Sequence, residues 1–225
     1  MALHYNPRIV TRDLLVALDA GDPSSYSGSG AVWSDISGQN KYADIYGSPR
    51  NITIGGAKCF YLDDIGDRFV IRFGETQYTN SLTLEAWIYP EASELSGGDR
   101  GCIIQGYAYL SWNKSNQQLS NYWYSTTNQG YHEPGVTMAR QQWHHIVGVW
   151  DTGTKTLKQY VNGSLVNTVS TYATAGYVYS DCNVGWEADG RQFSGGISAI
   201  RMYKSALSSA EVLQNYNAQK NRHGR

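Results

Sequence analysis

The feature that most restricts this chain is a ten-residue stretch, SLTLEAWIYP (81–90), in which residues alternate between two chemical characters. Leu82, Leu84, Ala86 and Ile88 point one way and Thr83, Glu85, Trp87 and Tyr89 the other, the period-2 pattern of a strand with two distinct faces. Pro90 stops it, because proline has no N–H to give a ladder. Segments of the same kind recur along the chain. LLVAL (14–18) runs into the turn-rich DAGDPSS, FVIRF (69–73) is strand-like, and WHHIVGVWD (143–151) ends at Thr-Gly-Thr. LKQYVNGSLV (157–166) reads as a hairpin about Asn162-Gly163, the pair that a type I′ turn prefers. CNVGW (182–186) and GGISAIRMY (195–203) supply two more strands, and residues 21–56 read as a long loop carrying short ones. A single helix is predicted, and it comes late. Ser208-Ser-Ala-Glu211 is a capping box, Leu207 and Val212 stand at hydrophobic-staple positions, and the helix runs to about Ala218. Many strands, one short C-terminal helix and no alternation of strand with helix predict an all-β, antiparallel two-sheet β-sandwich.

A chain of 225 residues fits one such domain, and no repeat, linker or shift of composition divides it. Residues 1–12 are expected as an N-terminal arm, 13–217 as the sandwich, and 218–225 as a loose basic tail. Eighteen Lys and Arg balance nineteen Asp and Glu, so no basic field is available for a phosphate backbone and nucleic acid is excluded as a partner. No stretch approaches the ~20 apolar residues of a membrane span. The opening MALHYNPRIV lacks the apolar core of a secretory signal, which predicts synthesis in a cytoplasm without export. Cys59, Cys102 and Cys182 are odd in number and widely spaced, the pattern of buried thiols and not of a disulfide framework or zinc site. Tyrosine outnumbers phenylalanine 18 to 4. Each tyrosine hydroxyl needs a partner or water, which places many of these rings at a surface or interface.

Several of these segments together resemble a known family. SLTLEAWIYP, QQWHHIVGVWDTGTKTLKQYVNGSLV and NVGWEADGRQFSGGISAIRMYKSALSSAEVLQNY follow one another as in the laminin-G-like jelly-roll domains of the concanavalin superfamily, over roughly residues 60–217. The stretch LLVALDAGDPSSYSGSGAVWSDISG (14–38) is similar to the opening of such domains in structural proteins of tailed phages, notably cyanophages. The resemblance implies a jelly-roll module that binds or assembles, with other virion proteins and surface glycans as partners and a virion as its location.

Relatives in that superfamily include glycoside hydrolases of the laminarinase type, and the sequence tests this directly. A retaining hydrolase needs two carboxyl groups about 5–5.5 Å apart, which the resemblance would place on one strand as E-x-D-x-E or E-x-D-x-x-E. The nearest candidate is Glu187-Ala188-Asp189-Gly190-Arg191-Gln192, with Arg191 and Gln192 where the second Glu should stand, so no enzyme activity and no catalytic residue is predicted. Glu85, among apolar strand residues, is expected to be hydrogen-bonded or half-exposed and not a catalyst. His144 and His145 are adjacent on a strand and point to opposite faces, so they cannot converge on a metal, and His145 is expected to pack with Trp143, Val147 and Val149. No cofactor is required. Relatives often hold calcium at the sandwich rim, but Asp19, Asp22 and Asp35, and Asp63, Asp64 and Asp67, lack the spacing of a dedicated loop and read as turn-forming carboxylates.

The more informative segment is YAYLSWNKSNQQLSNYWYS (107–125), two strands about a polar turn. Ala108, Leu110, Trp112, Leu119 and Trp123 take the core faces, which leaves Tyr107, Tyr109, Tyr122 and Tyr124 on the opposite ones. These four are the candidate partner-binding residues, since a tyrosine ring offers large contact area at low entropy loss and a polar tip. The alternative is that another part of the chain covers them. Three function classes follow: an assembly or decoration module of a virion, a lectin-type carbohydrate binder for host attachment, and a carbohydrate-active enzyme, which the missing carboxylate disfavours.

Overall fold

The computed structural model describes residues 8–79, 81–93, 95, 98–106, 108–123, 130–170, 177–186 and 190–225. Two antiparallel sheets of eight strands each form a jelly-roll sandwich. The first sheet runs β14 (Ser164–Ser170), β13 (Thr156–Val161), β12 (His144–Asp151), β7 (Leu82–Pro90), β16 (Gly195–Tyr203), β5 (Ala57–Leu62) and β4 (Arg50–Ile54), and β1 (Leu14–Asp19) also pairs with β16. The second runs β11 (Gly130–His132), β10 (Gln118–Trp123), β9 (Ala108–Asn113), β8 (Arg100–Gln105), β15 (Tyr177–Val184), β6 (Arg68–Thr79), β3 (Tyr42–Tyr46) and β2 (Val32–Ser34).

Period-2 alternation delivers the main core. Leu82, Leu84, Ala86 and Ile88 of β7 meet Phe69 and Ile71 of β6 and Leu110 and Trp112 of β9 between the sheets, all of them buried. Trp33, Phe60 and Phe69 form an aromatic knot there, with ring centroids 4.9–5.1 Å apart. The hairpin between β13 and β14 turns at Asn162 and Gly163, both with positive φ (51° and 78°), as a type I′ turn requires. Gly148 on β12 is needed for space, because a Cβ there would lie 2.5 Å from Asn121 Nδ2 and 2.7 Å from Trp150 Cη2.

The helix α1 (Ser209–Gln219) starts at the capping box anticipated from sequence: Ser208 Oγ accepts from the Glu211 amide while Glu211 Oε2 accepts from the Ser208 amide. Leu207 and Val212 are buried in one cluster with Val147, Val149, Tyr160 and Tyr203. That cluster lies on the outer face of the first sheet, so β7, β12 and β16 are buried on both faces. Residues preceding β1 join the cover, with the Val10 amide donating to Asn215 Oδ1 at 2.7 Å and Gln214 Nε2 donating to the Arg8 carbonyl at 2.7 Å. Residues 1–7 of the expected arm lie outside the described residues.

The tail corrects the expectation of a loose end. Lys220–His223 form a 3₁₀ turn, and His223 is buried with its ring stacked on Trp87 at 3.8 Å and 3°. Arg222 Nη1 donates to Asp19 Oδ1 at 2.9 Å, and Arg225 Nε to the Trp143 carbonyl at 2.7 Å. Composition alone reads KNRHGR as solvated, but a flat apolar indole beneath it gives the imidazole a stacking partner. Cys59, Cys102 and Cys182 are free and buried, and burial pushes the Cys59 thiol up to about 12.

Candidate functional site

The two outer faces differ in chemistry. On the first sheet the carboxylate singled out by sequence, Glu85, is fully enclosed beneath α1. Arg201 Nη1 donates to its Oε1, Asn215 Nδ2 donates to Oε2 at 2.6 Å, and His145 Nε2 lies 3.2 Å from Oε1. Burial would raise the Glu85 carboxyl, but the Arg201 guanidinium and its other neighbours outweigh this and hold it at about 2. A carboxylate sealed from solvent and saturated with donors contacts no substrate. Glu85 ties the helix to the sheet, in agreement with its expected hydrogen-bonded role.

Among the described residues the outer face of the second sheet carries no helix. Strand register draws one continuous row across it: Tyr131, Tyr122, Tyr109, Gln105, Asn183, Val70, Asp44 and Val32 stand opposite one another in turn. Directly opposed residues share a face, and from Tyr131 to Asn183 the side chains touch. The Tyr131 and Tyr122 rings are 4.8 Å apart and those of Tyr122 and Tyr109 5.4 Å apart. Gln105 Nε2 donates to the Tyr109 hydroxyl at 3.3 Å, and Asn183 Nδ2 to Gln105 Oε1 at 2.7 Å.

Both ends of the row are charged. Near Tyr131, Arg191 Nη1 donates to its hydroxyl at 2.9 Å and the Arg100 guanidinium lies 3.8 Å from its ring centroid. Arg100 also pairs with Asp99 and Glu133. Burial raises the Glu133 carboxyl, but hydrogen bonds from Asn113, Asn116 and Arg100 bring it below the ordinary value. At the other end Arg72 holds Asp44 (2.7 Å), Asp181 (2.6 Å) and the Tyr46 hydroxyl (2.8 Å), while Arg68 lies between the rings of Tyr46 and Trp186.

Of the four tyrosines proposed from sequence, Tyr107 and Tyr124 lie outside the described residues. Tyr109 and Tyr122 are direct cross-strand neighbours, as the hairpin reading requires. Tyr109 is not an exposed ring, however: at 4% exposure it is the floor of the row, enclosed by Gln105 on one side and Tyr122 on the other. Tyr122 is half-buried. Sequence reasoning missed Tyr131 because β11 is three residues long, too short for any period to register. Asn183 was legible, since Cys182 and Val184 flank it as core residues within CNVGW.

The hydrolase question narrows in the same region. Glu187, Ala188 and Asp189 lie outside the described residues. Arg191 belongs to the tyrosine row, and Gln192 is buried with Nε2 donating to the Asp67 carbonyl at 2.6 Å. Of the acidic residues considered for calcium, Asp35 Oδ1 accepts from the amides of Ala17 and Ser37, and Asp67 Oδ1 from that of Ser48. Among the described residues no three His, Cys, Asp or Glu side chains gather as a metal site. No helix among them is long and apolar enough to cross a membrane.

A family model, that of the concanavalin A-like lectin/glucanases superfamily, matches residues 65–213. The chain belongs to this superfamily. No curated protein matches it. Among solved structures, the binding domain of Paraclostridial Mosquitocidal Protein 1 is similar at a TM-score of 0.71 and 15% identity, over 93% of this chain and 53% of that one. The botulinum neurotoxin serotype D ligand-binding domain, solved in complex with N-acetylneuraminic acid, gives 0.70 and 14%, over 93% and 52%. Trypanosoma rangeli sialidase gives 0.64 and 15%, over 93% and 33%. The chain thus spans about half of the toxin domains and a third of the sialidase, and at these identities the likeness is one of fold. The likeness of fold covers 93% of this chain, beyond the residues that the family model matches.

Proposed function

We propose that this chain is a non-catalytic recognition module whose working surface is the outer face of the second sheet, with an extended saccharide as the ligand. The observation that carries the reading is the row from Tyr131 to Asn183, five side chains on five adjacent strands in which three tyrosine rings run into two amides. Strands lie about 4.8 Å apart, so the row is roughly 19 Å long, a length suited to several sugar units and not to one. Tyrosine rings offer apolar faces to sugar C–H groups, and amides and guanidinia offer hydrogen bonds to hydroxyls. The sialic acid bound in the botulinum serotype D complex supports the ligand class by analogy of fold.

The similarity of residues 14–38 to phage structural proteins supports a place for the module in a virion, as a decoration or adhesion component made in the host cytoplasm. Many copies would then turn weak single contacts into avidity. A glycan array probed with a multivalent display of the protein tests the saccharide reading. Tyr122→Ala and Tyr131→Ala are each expected to weaken the retained glycan at least about tenfold. Retention of no glycan at high valency sinks the saccharide reading and leaves assembly, which electron microscopy of labelled particles addresses.

A further inference from the structure

A cleft of 350 Å³ opens at the far side of the molecule, where the end of β7, the approach to β12 and the docked tail meet. It lies on the first sheet, apart from the tyrosine row. Its wall is the half-buried Tyr89 ring, backed by the buried Trp143 indole with centroids 5.5 Å apart and planes inclined at 57°. Its rim is polar, formed by the exposed Gln141 and Gln142 amides, the Arg225 guanidinium and the turn at Gly55.

The walls are fixed before any ligand arrives. Trp143 Nε1 donates to the Ile54 carbonyl at 3.0 Å, and Arg225 Nε and Nη2 donate to the Trp143 carbonyl and Gln142 Oε1 at 2.7 and 3.1 Å. Those bonds leave Arg225 Nη1 unengaged among the described residues. Gln141 holds φ at +56°, a left-handed conformation sparsely populated by residues other than glycine, with its amide donating to the Pro90 carbonyl at 2.8 Å. Such outliers concentrate at ligand clamps.

The volume falls at the lower end of small-molecule sites. One lone guanidinium, already shared, does not make a phosphate site, and the polar rim does not suit a lipid chain. An aromatic wall facing planar amides calls for a small ring with an apolar face and a hydroxylated edge. We infer that this cleft is a second saccharide site, taking a single pyranose whose C–H face rests on the Tyr89 ring, backed by Trp143, while Gln142 and Arg225 hydrogen-bond its hydroxyls. The inference does not depend on the tyrosine row.

Titration of the full chain with N-acetylglucosamine, glucose and glucuronate, read by the Trp143 indole N–H resonance assigned through Trp143→Phe, tests it. A saturable shift with any of the three is the expected result, weakened up to about tenfold in Gln142→Ala, an exposed position whose loss leaves the fold intact. Tyr122→Ala should leave this titration unchanged. A larger response to glucuronate, lost in Arg225→Gln, assigns the acidic form of the ligand to the same site. No shift of the indole with any sugar to the limit of solubility, or a shift that Tyr122→Ala removes, overturns the inference.

Discussion

Arg201→Met tests the account of how the first sheet is closed. Arg201 is 3% exposed and Glu85 fully enclosed, so removing the guanidinium leaves a carboxylate with Asn215 and His145 as its nearest polar neighbours and no permanent cation. Breaking a buried ion pair by removing one partner costs about 3–5 kcal/mol, a large share of the roughly 5–15 kcal/mol that stabilises a domain. The urea midpoint followed by tryptophan fluorescence should fall accordingly with its slope unchanged. Glu85→Gln combined with Arg201→Met removes the stranded charge and should recover more than half of the loss.

Acid titration supplies an independent reading of the same pair. Glu85 is held at about 2 against an ordinary 4.5. Its folded value is depressed, so its contribution is present above pH 4.5 and disappears as pH falls toward 2, at roughly 3 kcal/mol in all. In Arg201→Met that limb should shrink, because burial then opposes the ionised form with only Asn215 and His145 left to favour it. A loss below about 1 kcal/mol for Arg201→Met, or an unaltered acid limb, refutes the claim that this ion pair anchors the helix to the sheet.

Two further outcomes follow from the helix and the tail. Ser208→Ala removes the acceptor for the Glu211 amide and should cost about 1 kcal/mol by urea unfolding, with ligand binding unchanged. Burial holds His144 at about 4 and His223 at about 3, against an ordinary 6.5. The unfolded chain therefore takes up protons that the folded one refuses, and stability should decline as pH falls below 6.5, by up to about 1.4 kcal/mol per pH unit for each group. His223→Gln should show a shallower slope over that range.

Local pattern foretold the elements well, and covering far less. The alternation in residues 81–90 places Glu85 and Trp87 on the face away from the main core, and the structure keeps them there. What no local pattern shows is that Asn215, 130 residues later, arrives to bond Glu85, or that His223 stacks on Trp87. The capping box fixes where α1 begins but is silent about which sheet receives it. The tyrosine row was half visible for a related reason. Tyr109 and Tyr122 follow from one hairpin, whereas Tyr131, Gln105 and Asn183 join them only through the order of strands β11-β10-β9-β8-β15.

That order also explains why the faces diverge. Helix α1 leaves β16, a strand of the first sheet's interior, after only Lys204–Ser208, so it has to fold back over that sheet. Among the described residues the second sheet receives no helix, and its outer row is built mainly from asparagine, glutamine, and tyrosine in place of phenylalanine. If the two faces work separately, deleting residues 220–225 should expose Trp87, seen as increased acrylamide quenching, and lower stability by about 1–3 kcal/mol through lost ring stacking and burial. Glycan binding at Tyr122 should stay within twofold of the intact chain. A truncated protein that keeps its circular dichroism spectrum yet loses that binding would show that the closed face supports the open one, and the separation argued from strand order would fail.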